Sequence, residues 1–254
     1  MNVSRSVYSY KSQRTSDEPL ENQLKKLAIK HPHAGLDLLL VKLRKLGFKD
    51  NRKRVYRIYK ALSLAFKRKR KVRLPSRSPK ALGAGERPGT YLALDFMSDN
   101  LTSGRKFRVL NVIDTFTREV LLSKASYSWP ASRVVKELEK VFNLYQIKPK
   151  QISSDNGPEF IATKYLVFCQ NKNIHINYSQ PGKPTQNAYI ERFNGTMRRE
   201  VLDYNRFTSI KSAQELIDDW CYEYNYNREH QSLNYLTPNQ FNEHFLIMNG
   251  TTNG

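Results

Sequence analysis

The strongest constraint on this chain lies between Thr90 and Val201, where short apolar runs and amphipathic stretches follow one another in a fixed order. Tyr91–Met97, Phe107–Ile113 and Glu119–Ser123 read as three consecutive strands, turned near Thr102-Ser-Gly104 and Asp114-Thr-Phe-Thr117. Trp129–Tyr145 brings Val134, Leu138, Val141 and Phe142 onto one face at helical spacing. Gln151–Ser154 is a fourth strand, Pro158–Asn171 a helix and Ile174–Tyr178 a fifth strand. Pro181-Gly-Lys-Pro184 then stops any backward extension, Thr185 caps a helix, and Ile190, Phe193, Met197 and Val201 form its apolar stripe. The order β-β-β-α-β-α-β-α describes an α/β unit.

Three acids fall at telling places in that order. Asp95 ends the first apolar run, and Asp155 follows the fourth strand in Ser154-Asp-Asn-Gly-Pro-Glu-Phe160. Glu191 lies about a quarter turn off the stripe of the last helix, since each residue advances roughly 100°. Asn187, Asn194 and Arg198 share its side. Thirty-five residues separate Asp155 from Glu191. Three carboxylates on two strand ends and a helix meet the needs of a two-metal site, because Mg²⁺ prefers carboxylate and water oxygens and paired ions clamp both oxygens of an in-line phosphoryl displacement.

The order and spacing of these acids resemble the DD(35)E triad of retroviral integrases and related bacterial transposases. The surrounding words are more specific. Asp155-Asn-Gly-Pro-Glu-Phe160, Pro181-Gly-Lys-Pro184, Asn187-Ala188, Glu191-Arg-Phe-Asn-Gly195, Tyr224-Asn225 with Arg228, and Leu94-Asp-Phe-Met-Ser-Asp99 look like the second-frame (OrfB) product of insertion-sequence transposases. The likeness runs from about Ser4 to Phe245. It implies a ribonuclease-H-like core, a mixed five-stranded sheet with flanking helices over 90–205, in which Asp95, Asp155 and Glu191 hold two Mg²⁺ or Mn²⁺ ions. It implies strand cleavage followed by 3′-hydroxyl strand transfer, a DNA contact by Arg198, and Lys183 as a similar phosphate contact. Double-stranded DNA (element ends and target), an upstream-frame (OrfA) product or fusion, and a homodimer or larger synaptic assembly are the implied partners. Asn156 and Asn187 either position substrate or stabilise their turns.

Charge sets the first third apart. Residues 1–80 hold 23 Lys plus Arg against 5 Asp plus Glu, a net of +18, whereas the remainder holds 20 against 18. A polycation of this kind suits nucleic acid, where each neutralised phosphate releases counterions. Asp17–Lys30, Leu36–Leu46 (stopped by Gly47) and a third stretch capped by Asn51 read as three helices over 17–65. Arg52, Lys53, Arg54, Arg57 and Lys60 line the outer face of the third, as in a helix-turn-helix-like module. The family carries Tyr-Arg-Arg after the glycine matching Gly35, but this chain reads Leu36-Asp-Leu-Leu39, which removes two cations. A basic tail (1–16), a linker (66–89) with the run Lys67-Arg-Lys-Arg-Lys-Val-Arg73, a helical extension (206–248) and a polar tail (249–254) complete the layout.

Each residue also has a plainer reading. Asp155-Asn-Gly is a turn sequence, Asp95 suits a strand-end cap, Asp114 a turn beside Arg118, and Arg198 a surface ion pair with Glu200. Asp99 and Glu159 are rival carboxylates, the latter at the rim of the site. Trp220, Tyr222, Tyr224 and Tyr226 fit packing better than base stacking. Cys169 and Cys221 read as free thiols of a cytoplasmic, nucleoid-associated protein, and the histidines lack zinc spacing. No apolar run reaches the ~20 residues of a membrane helix. A non-catalytic DNA-binding regulator of the element and a ribonuclease-H-type nuclease are the rival functions.

Overall fold

A computed structural model describes residues 16–32, 34–65, 85–179 and 187–250. The sequence expectations for residues 1–15, the Lys67–Arg73 run, Lys183, the Thr185 cap and residues 251–254 lie outside them. The chain divides into two compact units, Met1–Val72 and Arg73–Gly254.

The first unit has three helices: α1 (Glu18–Lys30), α2 (Leu36–Lys45) and α3 (Arg52–Ala61). Leu20, Leu24, Leu39, Leu43, Val55 and Ile58 fall at intervals of three and four, so the helices bury one shared apolar cluster. Gly47 ends α2 at φ +88°, a conformation that favours glycine, while Phe48 N–H closes on the Leu43 carbonyl at 3.0 Å. Asn51 caps α3 by accepting from the Lys53 N–H at 2.9 Å.

In the second unit β1 (Tyr91–Asn100), β2 (Lys106–Asp114) and β3 (Val120–Ser126) form an antiparallel meander. Helix α4 (Ala131–Leu144) then crosses to β4 (Gln151–Ser154), which pairs parallel with β1. The short α5 (Pro158–Ile161) and α6 (Thr163–Asn171) lead to β5 (His175–Tyr178), parallel to β4. The five-stranded sheet has the order β3-β2-β1-β4-β5. It is the mixed, ribonuclease-H-like sheet the sequence order implies.

Alternation along β1 sorts its side chains between two layers. Leu92 and Leu94 face the cluster containing α4 and α6, with Val134, Leu138, Phe160 and Tyr165. Ala93 and Met97 face α7 (Ala188–Met197) and α8 (Ile210–Tyr222), meeting Ile190, Phe193, Met197 and Ile217. The sheet is therefore buried on both faces.

Several boundaries differ from the sequence expectation, three of them with a clear physical reason. β1, expected to end at Met97, runs three residues further to Asn100, because antiparallel pairing with β2 continues past Asp95. The expected Pro158–Asn171 helix breaks at Ala162, whose ψ of 139° is extended. The helix expected at Gln214–Asn227 starts at Ile210, where Ser209 and Ser212 form a capping box, and its last turn, Glu223–Asn227, widens to π geometry. α9 (Pro238–Met248) closes the unit.

Phe193 is 1% exposed and lies against Trp220 and Tyr224, with ring centroids 5.5 and 5.1 Å away. Phe193→Ala should lower stability by about 3–5 kcal/mol, read from the denaturant midpoint of the intact chain.

Candidate active site

Parallel pairing sets the positions of the two aspartates. Ala93 is registered with Ser153, so two residues onward Asp95 comes level with Asp155, just past the end of β4. Neighbouring strands lie about 4.8 Å apart, which brings these two acids close without any loop having to reach. Asp95 shares the face of Ala93 and Met97 and so points beneath α7, whose first turn carries Glu191.

A buried polar chain meets Asp95 there. Asn194 Nδ2 donates to Asp95 Oδ2 at 2.7 Å, and the Phe96 N–H donates to Oδ1 at 2.8 Å. Asn111 Nδ2 donates to Asn194 Oδ1 at 2.8 Å, and Ser123 Oγ donates to Asn111 Oδ1 at 2.5 Å. With the Asn111 oxygen taken by Ser123, its amide can only donate onward, and so in turn can Asn194. The chain thus has one polarity and ends in a donor at the carboxylate. Asn187, buried at the start of α7, adds a weaker contact to the Leu94 carbonyl at 3.4 Å.

The electrostatics are strained. Burial pushes the Asp95 carboxyl up to about 6, the Phe96 N–H and Asn194 oppose the shift, and the charges of Asp155 and Glu191 add to it. Burial also raises Glu191. Asp155 is exposed, and its Oδ1 accepts from the Gly157 N–H at 3.1 Å. Asp95 therefore feels the charge of both other acids. The oxygens of the three do not form a finished coordination sphere: among the described residues no three His, Cys, Asp or Glu side chains stand close enough to hold an ion. The donor chemistry fits a hard divalent cation, being all oxygen and carrying mutual repulsion that a cation would relieve.

The other candidates are placed as follows. Arg198 reaches back to β1, with NH2 donating to the Ser98 carbonyl at 2.6 Å and NH1 3.3 Å from Asp99 Oδ2. Glu200 is held instead by Arg228 at 2.6 Å and Trp220 Nε1 at 2.9 Å. Asp114 is buried and accepts from the Gly89 N–H at 2.6 Å and the Phe116 N–H at 2.7 Å, while the Arg118 guanidinium lies 3.7 Å over the Tyr189 ring. Asn156 is exposed. Trp220 and Tyr224 pack on Phe193, whereas Tyr222 and Tyr226 stack on each other in the open. Cys169 and Cys221 are free thiols, pushed up to about 11 and about 12 by burial.

In the first unit the arginines of α3 are engaged. Arg52 pairs with Asp37 at 2.9 Å, Arg54 with Asp17 at 2.8 Å and Asp50 at 2.9 Å, and Arg57 with Asp17 at 2.5 Å. Lys53 and Lys60 are exposed and make no ion pair with another described residue. Sequence reasoning grouped all five cations alike. It also passed over Asn111 and Ser123, although an asparagine inside the apolar run Val109-Leu-Asn-Val-Ile113 is an available signal.

Comparisons with known proteins agree on one family. Residues 85–184 match a family model described as an integrase core domain, and residues 172–238 match a second of the same description. The 31.7 kDa protein of insertion element IS407 from Burkholderia multivorans is 33% identical over 240 residues, 94% of this chain and 86% of that protein. The 39.2 kDa protein of IS476 from Xanthomonas euvesicatoria is 34% identical over 224 residues, 88% of this chain and 64% of that protein. Among solved structures, the simian T-cell lymphotropic virus intasome gives a TM-score of 0.56 at 16% identity, over 86% of this chain and 74% of that one. The HTLV-2 integrase catalytic core in complex with magnesium gives 0.50 at 17% identity, over 62% of this chain and 99% of that one.

Removing the Asn194 donor should raise the Asp95 carboxyl above its value of about 6. The measurement is a carboxyl ¹³C titration of metal-free Asn194→Ala against the parent. Because burial lifts the folded value above the ordinary 3.8 of an aspartate, the Asp95 contribution to stability is full below 3.8 and is lost as pH rises through about 6.

Proposed function

The chain belongs to the integrase-core family of insertion-element transposases, and on that premise we propose that it is the catalytic protein of DNA transposition, with Asp95, Asp155 and Glu191 as its reactive carboxylates. One observation carries this reading: half-buried Asp95 on β1 is acted on by the charges of both Asp155, just past the adjacent β4, and Glu191 on α7. A structural ion-pair network would place cations there, and this cluster is held by amide donors instead.

In this reading Asp95, Asp155 and Glu191 would hold two Mg²⁺ or Mn²⁺ ions, which would neutralise these carboxylates and polarise the phosphodiester. The chain's own residues do the rest. Asn194 orients Asp95, Asn187 fixes the start of α7, and the N-terminal end of that helix favours the negative charge of Glu191. Water would attack the scissile phosphodiester in line and release a 3′-hydroxyl, which would then attack a target phosphodiester and displace its 3′-oxygen, with no covalent enzyme intermediate. Asn156, next to Asp155, Arg198, bonded to β1 at Ser98, and Lys183, which precedes α7 in sequence, are the candidates for positioning the DNA strand. Residues 17–65 bind the DNA backbone, chiefly through Lys53 and Lys60, since Arg52, Arg54 and Arg57 already carry acidic partners. Synapsis of two ends calls for at least two copies, and the upstream-frame product supplies end recognition.

Incubated with element-end duplex and Mg²⁺, Asp155→Asn should lose strand cleavage and joining by at least about 100-fold while keeping its fold; full-rate joining by this variant defeats the assignment. Lys53→Ala with Lys60→Ala should flatten the dependence of DNA affinity on log salt by about 2, measured by anisotropy across a KCl series.

A further inference from the structure

Asp155 needs a support that its own loop does not provide. It stands after a four-residue strand and before the four-residue α5, and its carboxylate bond to the Gly157 N–H is local. The next two side chains that reach inward are Glu159 and Phe160. Phe160 is fully buried and stacks on Phe96, with centroids 5.4 Å apart and planes at 25°. Phe96 is the residue after Asp95. On its ring lies the Arg108 guanidinium at 4.0 Å, and Arg108 pairs with Glu159. Trp129 closes the group, its Nε1 donating to the Arg108 carbonyl at 3.1 Å and its ring 5.8 Å from Phe96.

We propose that Arg108 and Glu159 are positioning residues that clamp the Asp155 turn to β2 across Phe96 and so set the separation of Asp155 from Asp95. This inference rests on the carboxylate reading above and deepens it. Both members of the pair are sheltered, the Glu159 side chain 11% and that of Arg108 35% exposed, so the pair is worth more than a solvated one. The guanidinium bonds one Glu159 oxygen and covers the Phe96 ring, a dual contact that suits arginine better than lysine. The other oxygen, Oε2, is buried without a partner among the described residues. It lies beside Gly157, where an added Cβ would stand 3.2 Å from it and 3.0 Å from Asp155 Oδ1. The turn thus lies between two carboxylates, and a side chain at residue 157 would require both to give by a few tenths of an ångström. A side chain 51 residues away in sequence thereby holds the loop that carries the exposed acid.

The test uses the full chain and the variants Arg108→Met, Arg108→Lys and Glu159→Gln. In metal-free protein, amide exchange of residues 155–161 should accelerate at least about 10-fold in Arg108→Met and Glu159→Gln, with Arg108→Lys between them and the parent. Mn²⁺ titrated alone should bind about 10-fold more weakly to Arg108→Met and Glu159→Gln, and strand joining should lose kcat with KM for DNA unchanged. Unchanged exchange at 155–161 in both variants overturns the clamp. Glu159→Gln keeps the shape of the side chain, so it decides the matter if Arg108→Met fails to fold. Asp155→Asn runs alongside: if it leaves Mn²⁺ binding and joining intact, the carboxylate reading fails while the exchange measurement still judges the clamp.

Discussion

The second unit turns on the hydrogen bond from Asn194 to Asp95. A carboxylate between Ala93 and Met97, under an apolar helix, is costly to ionise, and two nearby acids increase that cost. The Ser123–Asn111–Asn194 chain offsets part of it by delivering a donor of fixed direction. Each amide in the chain is itself buried, so no link can be removed without stranding the next. The candidate site and the apolar core are for this reason a single packing problem.

α7 joins the two. Ile190, Phe193 and Met197 anchor it to the sheet, and that anchoring fixes where Glu191 and Asn194 stand, one helical turn apart. Asn187 and the stacking of Arg118 on Tyr189 secure its first turn from the sheet side. Arg198 ties its far end to Ser98 on β1. The helix is thus held at both ends and along its stripe. On the opposite face Phe96, Phe160, Arg108 and Glu159 do the corresponding work for the Asp155 turn, so the two aspartates are braced from different layers.

In the first unit net charge misleads about which cations are available. Asp17, Asp37 and Asp50, three of only five acids in residues 1–80, hold the arginines of α3. These pairs stiffen the outer face of the helix, although the partly exposed ones add little stability. Lys53 and Lys60 are left with their charges unshared among the described residues, on a face where Tyr56 is half exposed.

What the sequence determined by itself was periodic and local. Strand and helix order, the Gly47 stop and the Asn51 cap all follow from alternation at period 2 or 3.6 and from backbone needs within a few residues. The order of the three acids, with 35 residues between the last two, was legible in the same way. Tertiary structure decided what depends on partners far apart in the chain. Asp95 sits inside its strand because β2 pairs beyond it; Arg54 meets Asp17 across 37 residues; Arg108 meets Glu159 across 51; and Asn111 meets Asn194 across 83. The reason is physical: a side chain's local pattern fixes which way it faces, whereas its partner and its ionisation depend on whatever the packed fold brings against that face.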